Sequence, residues 1–134
     1  MRGKMKMGIT CGTDIIEIGR IKQSIEKLGN SFLNRVYTVK EIEYCESKKK
    51  QKYQHYAGRF AAKEAIFKAI SKGLEDKYKI NWRDIEVVNN SQGRPAVFIS
   101  GMEQKNIDIS ISHCKEYAVA TVVCFGLGEV DEVI

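Results

Sequence analysis

Two residues with side chains suited to metal or proton chemistry lie four positions apart in an alanine-rich segment. Glu64 and Lys68 belong to GRFAAKEAIFKAI at 58–70, and at helical spacing both project from one side of a helix, roughly opposite a stripe of Ala and Ile. A surface ion pair would account for this spacing equally well. Phe60 and Phe67 flank Glu64, which indicates that its surroundings are partly covered. Both an ordinary ion pair and a functional site remain open.

An acidic residue, Asp14, lies toward the end of GITCGTDII at 8–16, a segment otherwise made of small and apolar residues. A buried carboxylate there would need a charged or hydrogen-bonding partner. Asp14 also precedes a predicted helix start near Glu17, where aspartate is a favoured N-cap. The functional alternative pairs Asp14 with Glu64 as oxygen ligands for magnesium, which uses one or two carboxylates and completes its coordination with water and phosphate.

A histidine, His113, follows the alternating isoleucines of IDISIS at 107–112 and enters the turn HCKE. A lone histidine at a hairpin is usually a surface or turn residue. The alternative is contact with a phosphate group or proton transfer. Cys114 beside it has no motif that would mark it as a nucleophile.

The net charge of +5 is unevenly distributed along the chain. Residues 1–72 hold 16 Lys and Arg against 7 acidic residues, whereas residues 73–134 hold 6 against 10. The basic half predicts an anionic partner, which could be a nucleic acid, a phosphorylated small molecule or an acidic protein. The run KKKQK at 48–52 motivates a nucleic-acid-binding domain, although no stacking face or named motif accompanies it.

Three helices are predicted in the first half of the chain. The first starts near Glu17, buries Ile18, Ile21, Ile25 and Leu28, and stops at Gly29-Asn30. The second runs from the N-cap Thr38, with a capping box to Glu41, to about Ser47. The third spans 53–71 and stops at Gly73. Ala62, Ala65, Ile66, Ala69 and Ile70 form the buried stripe of the third helix. The KKKQK run between the last two is expected to be a solvated connection.

Strands are predicted at the N-terminus and throughout the second half. They are GITCGTDII at 8–16, DIEVV at 84–88, RPAVFIS at 94–100, IDISIS at 107–112 and YAVATVVCF at 117–125. The last strand is apolar on both sides, so both faces are expected to be covered, by a helix or by another subunit. The predicted fold class is α+β, with helices mainly first and an antiparallel sheet later.

The 134 residues predict one domain, 1–134, without a linker. No apolar run approaches the length of a membrane span and MRGKMKMG lacks the apolar stretch of a signal peptide, so a cytoplasmic protein is expected. The four cysteines are widely spread without a CxxC pair, which predicts reduced thiols and no zinc site.

Three segments together resemble the holo-acyl-carrier-protein synthases, the small trimeric type of the 4'-phosphopantetheinyl transferases. They are GTDIIEIGRI at 12–21, GRFAAKEAIFKAI at 58–70 and SISHCKEYAVATVV at 110–123, and the resemblance extends from Gly8 to about Val123. It implies transfer of 4'-phosphopantetheine from coenzyme A to a serine of apo-acyl carrier protein, for fatty acid biosynthesis. A second possibility within this chemistry is an enzyme that serves the carrier domains of large synthases.

The resemblance also implies roles for individual residues. Asp14 and Glu64 match the magnesium-binding carboxylates of the family, and Lys68 matches a lysine near the diphosphate, so these three are the expected catalytic residues. Glu64 is also a candidate base for the serine proton.

Arg59 and His113 match positions that line the coenzyme A site together with Lys68, and Arg20 matches an arginine that meets the acidic carrier protein. The family assembles as homotrimers with active sites between neighbouring subunits. No nucleic acid and no membrane are expected as partners.

The sequence departs from the family pattern at two connections. SKGLEDKYKINW at 71–82 stands where the family more often has a glycine-rich turn, so the loop bordering the cofactor is expected to differ. SGMEQKN at 100–106 is short for the helix commonly found there, and residues 1–7 precede the family start as an extension expected to be disordered.

Overall fold

The computed structural model describes residues 4–71 and 80–130. In chain order the elements are β1 (Lys4–Glu17), α1 (Ile18–Leu28), α2 (Asn30–Val36), α3 (Val39–Glu46), a 3-10 turn (Lys49–Gln51), α4 (Lys52–Ile70), a second 3-10 turn (Trp82–Asp84), β2 (Ile85–Asn89), β3 (Pro95–Ile99), β4 (Met102–Glu103), β5 (Ile107–His113) and β6 (Tyr117–Val130). The predicted α+β class is confirmed.

The strands form two antiparallel sheets of three strands each. The first has the order β1-β6-β5 and the second the order β2-β3-β4. The first strand, β1, therefore pairs with the last strand, β6, and Asp14 lies opposite Ala120. Because of this pairing, β1 and its Asp14 carboxylate belong to the sheet that α4 covers.

The first helix follows the predicted isoleucine pattern but not its last member. Ile18, Ile21 and Ile25 are buried, whereas Leu28 is 45% exposed. Gly29 adopts a positive φ of 59° and ends α1. The predicted stop at Gly29 is confirmed. The chain then enters α2 at once, a helix that was not predicted, and Leu33 and Val36 of α2 are buried.

The predicted capping box at the start of α3 is confirmed. The Thr38 hydroxyl accepts a hydrogen bond from the Glu41 backbone N–H at 3.3 Å, and the Thr38 N–H donates to Glu41 Oε1 at 2.9 Å. The second carboxylate oxygen of Glu41 accepts from the Val87 N–H on β2 at 2.7 Å. Glu41 therefore joins the start of α3 to the second sheet as well as capping the helix.

A buried ion pair anchors the middle of α4. The Lys63 ammonium lies 2.7 Å from Glu41 Oε1, and both side chains are 0% exposed. Lys63 Nζ also donates to the carbonyl oxygens of Val36 at 2.6 Å and Trp82 at 3.0 Å. Three short contacts thus surround one charge, and they tie α4 to α2, α3 and the turn before β2.

Helix α4 is buried on more than the predicted side. Ala62, Ala65, Ile66 and Ala69 are buried as expected and Ile70 is half-buried, but Tyr56, Arg59 and Lys63 are buried too. Phe60 and Phe67 contact Trp82, with ring centroids 4.9 and 5.5 Å apart. The helix is therefore central to the fold and not simply amphipathic, because elements pack around it on several sides.

One face of the first sheet is not covered by the described part of the chain. Ala118, Ala120 and Val122 of β6 are buried, but apolar side chains on the opposite face of β1 and β6 are exposed. We call this set the open sheet face: Ile9, Ile15, Tyr117, Val123 and Phe125. Helix α4 covers one face of the last strand, as expected, and cover of the other face by another subunit stays a prediction.

The remaining expectations concern connections. Residues 4–7, expected to be disordered, begin β1 and pair with residues 127–130, while residues 1–3 lie outside the described residues. Residues 100–106 contain β4 in place of a helix. Gly73 and most of SKGLEDKYKINW lie outside the described ranges. The KKKQK run forms an exposed turn that leads directly into α4.

None of the helices in residues 4–71 and 80–130 combines the length and apolarity that a bilayer crossing requires.

Candidate active site

Asp14 on β1 and Lys68 on α4 meet between the strand and the helix. Lys68 Nζ lies 3.2 Å from Asp14 Oδ1 and donates to the Thr13 carbonyl oxygen at 2.9 Å. The side chain of Asp14 is 16% exposed and that of Lys68 is 53% exposed. The pair therefore lies at the edge of the core, where a ligand from solvent can reach it.

Glu64 lies one helical turn before Lys68 and is half-buried. Burial raises the pKa of its carboxyl from 4.5, the neighbouring Asp14 carboxylate raises it further, and Lys68 lowers it. The Asp14 carboxylate, which belongs to another element, is thus close enough to disfavour the charge of Glu64. Such an arrangement favours a bound cation, which would remove the repulsion.

Gly12 explains how closely β1 approaches α4. A Cβ atom at this position would lie 2.2 Å from the Ala65 carbonyl oxygen and 3.0 Å from Ala69 N, both backbone atoms of the helix. Any larger residue would push strand and helix apart. Because Asp14 is two residues further along the same face of β1, Gly12 sets the distance between Asp14 and the side chains of α4.

The donor set fits a hard divalent cation. Asp14 and Glu64 supply carboxylate oxygens, and magnesium commonly takes one or two protein carboxylates, with water and substrate phosphates in its other positions. Within residues 4–71 and 80–130 no cluster of three or more His, Cys, Asp or Glu side chains has the geometry of a metal site. Asp14 and Glu64 are therefore the described residues that could hold such an ion.

A second group of predicted residues meets at the other end of α4. Arg59 is 5% exposed, and its guanidinium carbon lies 4.5 Å from the centroid of the Tyr44 ring. Its Nη2 donates to Asn89 Oδ1 at 3.2 Å. His113, at the end of β5, lies with its ring centroid 5.9 Å from that of His55, and His55 packs edge-on against Tyr44 at 5.5 Å. Arg59 and His113 therefore belong to one cluster, through Tyr44 and His55.

His55 is the member of this cluster that the sequence reasoning missed. It stands four residues before Arg59, so helical spacing places both on one side of α4. That spacing was the available signal. The sequence predicts a solvated connection at KKKQK and a helix that starts near Tyr53, and neither prediction gives His55 a role.

Arg20, which the resemblance predicts to meet the carrier protein, is exposed near the N-terminus of α1. It borders an open pocket of about 440 Å³ lined by Glu17, Ile18, Gly19, Arg20, Gln23, Lys115 and Glu116. The turn between β5 and β6 closes one side, where the Ile18 N–H donates to the Glu116 carbonyl oxygen at 2.8 Å. The structure thus brings Asp14, Glu64 and Lys68 together and leaves Arg20 on a separate surface.

The comparisons with known proteins agree with this arrangement. The model of the 4'-phosphopantetheinyl transferase superfamily matches residues 10–122. The chain belongs to this superfamily, as the resemblance predicted.

Within the superfamily, the relatives are holo-[acyl-carrier-protein] synthases. The chain is 46% identical over 125 residues to the holo-[acyl-carrier-protein] synthase from Ruminiclostridium cellulolyticum, and the alignment covers 87% of this chain and 92% of that protein. It is 46% identical over 124 residues to the one from Protochlamydia amoebophila, covering 89% and 98%. Family membership favours the transferase over the nucleic-acid-binding alternative.

Solved structures give the same result. The holo-(acyl-carrier-protein) synthase of Bacillus anthracis, in complex with CoA (3',5'-ADP), matches with a TM-score of 0.74 and 37% identity over 90% of this chain and 99% of that one. The Helicobacter pylori enzyme in complex with coenzyme A matches with a TM-score of 0.68 and 29% identity over 84% and 96%.

Proposed function

We propose that this chain transfers the 4'-phosphopantetheine group from coenzyme A to a serine of apo-acyl carrier protein, with adenosine 3',5'-bisphosphate as the second product. The observation that carries the proposal is the Asp14, Glu64 and Lys68 site between β1 and α4. It occurs in a chain whose relatives are holo-[acyl-carrier-protein] synthases along nearly their whole length. The product serves fatty acid biosynthesis.

Asp14 and Glu64 are the proposed magnesium ligands. The bound ion would neutralise negative charge on the diphosphate of coenzyme A. Lys68, held by Asp14 and the Thr13 carbonyl oxygen, adds positive charge beside the leaving group. Most of the catalytic effect in such a transfer comes from positioning and charge neutralisation, since the protein forms no covalent intermediate.

The serine hydroxyl of the carrier protein must lose a proton as its oxygen attacks the phosphorus that bears pantetheine. Glu64 accepts this proton, directly or through a water molecule. Burial and the Asp14 carboxylate raise the pKa of Glu64 in the protein without a bound cation, and a cation held by Asp14 and Glu64 would lower it again.

Arg59, Lys68 and His113 bind the phosphates of coenzyme A in this proposal. Arg59 supports it because it is buried with a single side-chain hydrogen bond, to Asn89, among the described residues, which leaves most of its donors for an anion. Arg20 binds the acidic carrier protein. Its exposed position beside the pocket at the start of α1 makes it accessible to a macromolecular partner.

The open sheet face supports a homotrimer with active sites between subunits. Ile9 is 69% and Ile15 62% exposed, and an exposed apolar patch is typical of a protein interface. Sedimentation of the purified protein at three times the chain mass is expected. Val123→Arg should dissociate it, while Glu103→Arg on the other sheet should not; a fully active monomer would contradict the proposal.

The proposed compartment is the cytoplasm. All four cysteines are unpaired, and Cys11 and Cys114 are exposed. Exposed free thiols are maintained where the environment is reducing.

The deciding experiment is intact-mass spectrometry of apo-acyl carrier protein after incubation with the enzyme, coenzyme A and magnesium. A mass gain equal to the phosphopantetheine group, abolished by a chelator, is expected. Apo-carrier domains of large synthases tested beside the free-standing carrier would reveal which carriers the enzyme prefers. No gain on any carrier would overturn the proposal.

A further inference from the structure

The strongest feature outside the Asp14 and Glu64 site is the group of side chains around His55, which we call the His55 cluster: Tyr44, His55, Arg59 and His113. Three elements contribute to it, because Tyr44 is on α3, His55 and Arg59 are on α4, and His113 ends β5. The His55 ring lies between two aromatic neighbours, edge-on to Tyr44 at 83° and to His113 at 66°. Its orientation is therefore defined by packing on both sides.

Among the described residues, the charged groups that shift the pKa of His55 are Lys48, Arg59 and His113, which are cationic or able to become so. The Arg59 guanidinium lies 4.5 Å and the Lys48 ammonium 4.8 Å from the centroid of the Tyr44 ring, while His113 adds a second imidazole. Among the described residues no acceptor bonds to Arg59 Nε. Positive charge is thus concentrated around a half-buried histidine whose pKa receives no resolved contribution from a carboxylate.

This environment disfavours a proton on His55. Burial lowers the pKa of His55 from 6.5, and the charges of Lys48, Arg59 and His113 lower it further. An anion placed in the cluster would act in the opposite direction, because it offsets the same cationic charges and favours the imidazolium. Protonation of His55 and binding of an anion should therefore assist each other.

We propose that His55 is a proton-dependent contact of coenzyme A: its imidazole takes up a proton when a phosphate group of coenzyme A enters the His55 cluster. The inference rests on the proposed function, which supplies coenzyme A as the ligand. It adds His55 to the binding residues and makes coenzyme A affinity depend on pH near neutrality.

The direction in which coenzyme A affinity changes with pH follows from the linkage between proton binding and ligand binding. Affinity for coenzyme A is highest where His55 is already protonated, and it falls as the pH rises through the pKa that His55 has in the complex. The phosphate monoester of coenzyme A loses negative charge below about pH 6 and so acts in the opposite sense. Only the difference between proteins with and without His55 isolates the effect of the histidine.

Histidine NMR tests the proposal directly, because the chain has two histidines and therefore two imidazole signals. The His113→Gln variant assigns them. In the free protein the His55 signal is expected to titrate below 6.5, and saturating coenzyme A should move its midpoint above that value. A midpoint that stays in place, while other resonances report binding, would overturn the inference. No spectral change at all would overturn the proposed function first.

Calorimetry can compare the wild-type protein with a matched variant, His55→Phe. His55→Phe keeps an aromatic ring against Tyr44 and His113 but cannot bind a proton. In buffers of different ionisation enthalpy, wild-type protein should take up more protons on binding coenzyme A than His55→Phe, and its affinity should fall several-fold more between about pH 6.5 and pH 8. Equal proton uptake by two folded proteins would contradict the proposal.

Coenzyme A carries both a diphosphate and a ribose phosphate monoester, and dephospho-coenzyme A lacks the latter. Proton uptake through His55 with both ligands would assign the diphosphate to the cluster. Uptake with coenzyme A alone would assign the monoester.

Discussion

Two of the three lysines of helix α4, Lys63 and Lys68, each pair with a carboxylate from another element, and their environments are very different. The Lys63–Glu41 pair is fully buried at 2.7 Å, and two backbone carbonyl oxygens accept from the same ammonium. The Lys68–Asp14 pair is longer, at 3.2 Å, and Lys68 is 53% exposed. The two pairs lie about one turn apart on the same helix, so burial is the main difference between them.

The comparison separates a pair that stabilises the fold from a pair for which we propose a function. Lys63 and Glu41 use their bonding capacity inside the protein and face no solvent, so no ligand can reach them. Asp14 and Lys68 are accessible and lie beside Glu64, whose pKa is raised by burial and by Asp14. An accessible group of charges that is not internally balanced is the kind of arrangement that a cation and a phosphate would complete.

The largest predicted effect comes from breaking the buried pair. Lys63→Met leaves the Glu41 carboxylate without its counter-ion in the core, which should reduce the free energy of unfolding by about 3–5 kcal/mol. Lys68→Met, the matched change on the exposed pair, should alter it by no more than about 0.5 kcal/mol. Urea denaturation of both variants measures the difference, and similar losses would show that burial does not distinguish the pairs.

At the exposed site, a substitution should reduce activity strongly and leave the fold intact. Glu64→Gln removes a proposed metal ligand and base while keeping side-chain shape, so we expect the rate of carrier modification to fall by about 100-fold or more with the fold retained. Glu43→Gln, an exposed acid of α3, is the matched control and should be unaffected. The rate is followed by intact mass and the fold by circular dichroism; a near wild-type rate for Glu64→Gln would remove its assigned role.

How far the sequence predicted this contrast depends on the range of each interaction. Glu64 with Lys68, and Thr38 with Glu41, were identified because both pairs are local and follow helical periodicity or capping rules. Asp14 and Lys68 meet across 54 positions of the chain. The residues alone left Asp14 open as an N-cap or as a partner of Glu64, and the family resemblance then placed Asp14 and Lys68 in one site. Periodicity cannot report the distance between two elements, which Gly12 sets here by close backbone contact.

The buried pair was missed for a different reason. Apolar periodicity treats charged residues as solvent-facing, so Lys63 was not considered for the core and Glu41 was noted only as a capping residue. Helix α2 was missed because Gly29-Asn30 was read as the end of helical structure. The apolar character of both faces of β6 was predicted correctly, but what covers the open sheet face is not contained in one chain.

A smaller effect is expected at the separate surface of Arg20. Arg20→Glu should raise KM for the acidic carrier protein several-fold, because reversing an exposed charge at an interface weakens electrostatic attraction. Coenzyme A binding should be nearly unchanged, since the proposed coenzyme A residues lie elsewhere. Lys27→Glu, also exposed on α1, is the charge-matched control. Equal losses for carrier and coenzyme A would contradict a docking role.

The smallest predicted effect is that of the Glu64 charge on the stability of the fold. The pKa of Glu64 is raised in the folded protein, so its charge opposes folding: the associated stability is present below the unfolded-state pKa and is lost as the pH rises through the folded-state value. In chelator at neutral pH, Glu64→Gln should therefore be as stable as wild type or slightly more so, and the difference should vanish in acid. Added magnesium should stabilise wild type but not the variant. Thermal unfolding with and without magnesium measures both, and a destabilised Glu64→Gln protein would mean that Glu64, like Glu41, serves the fold.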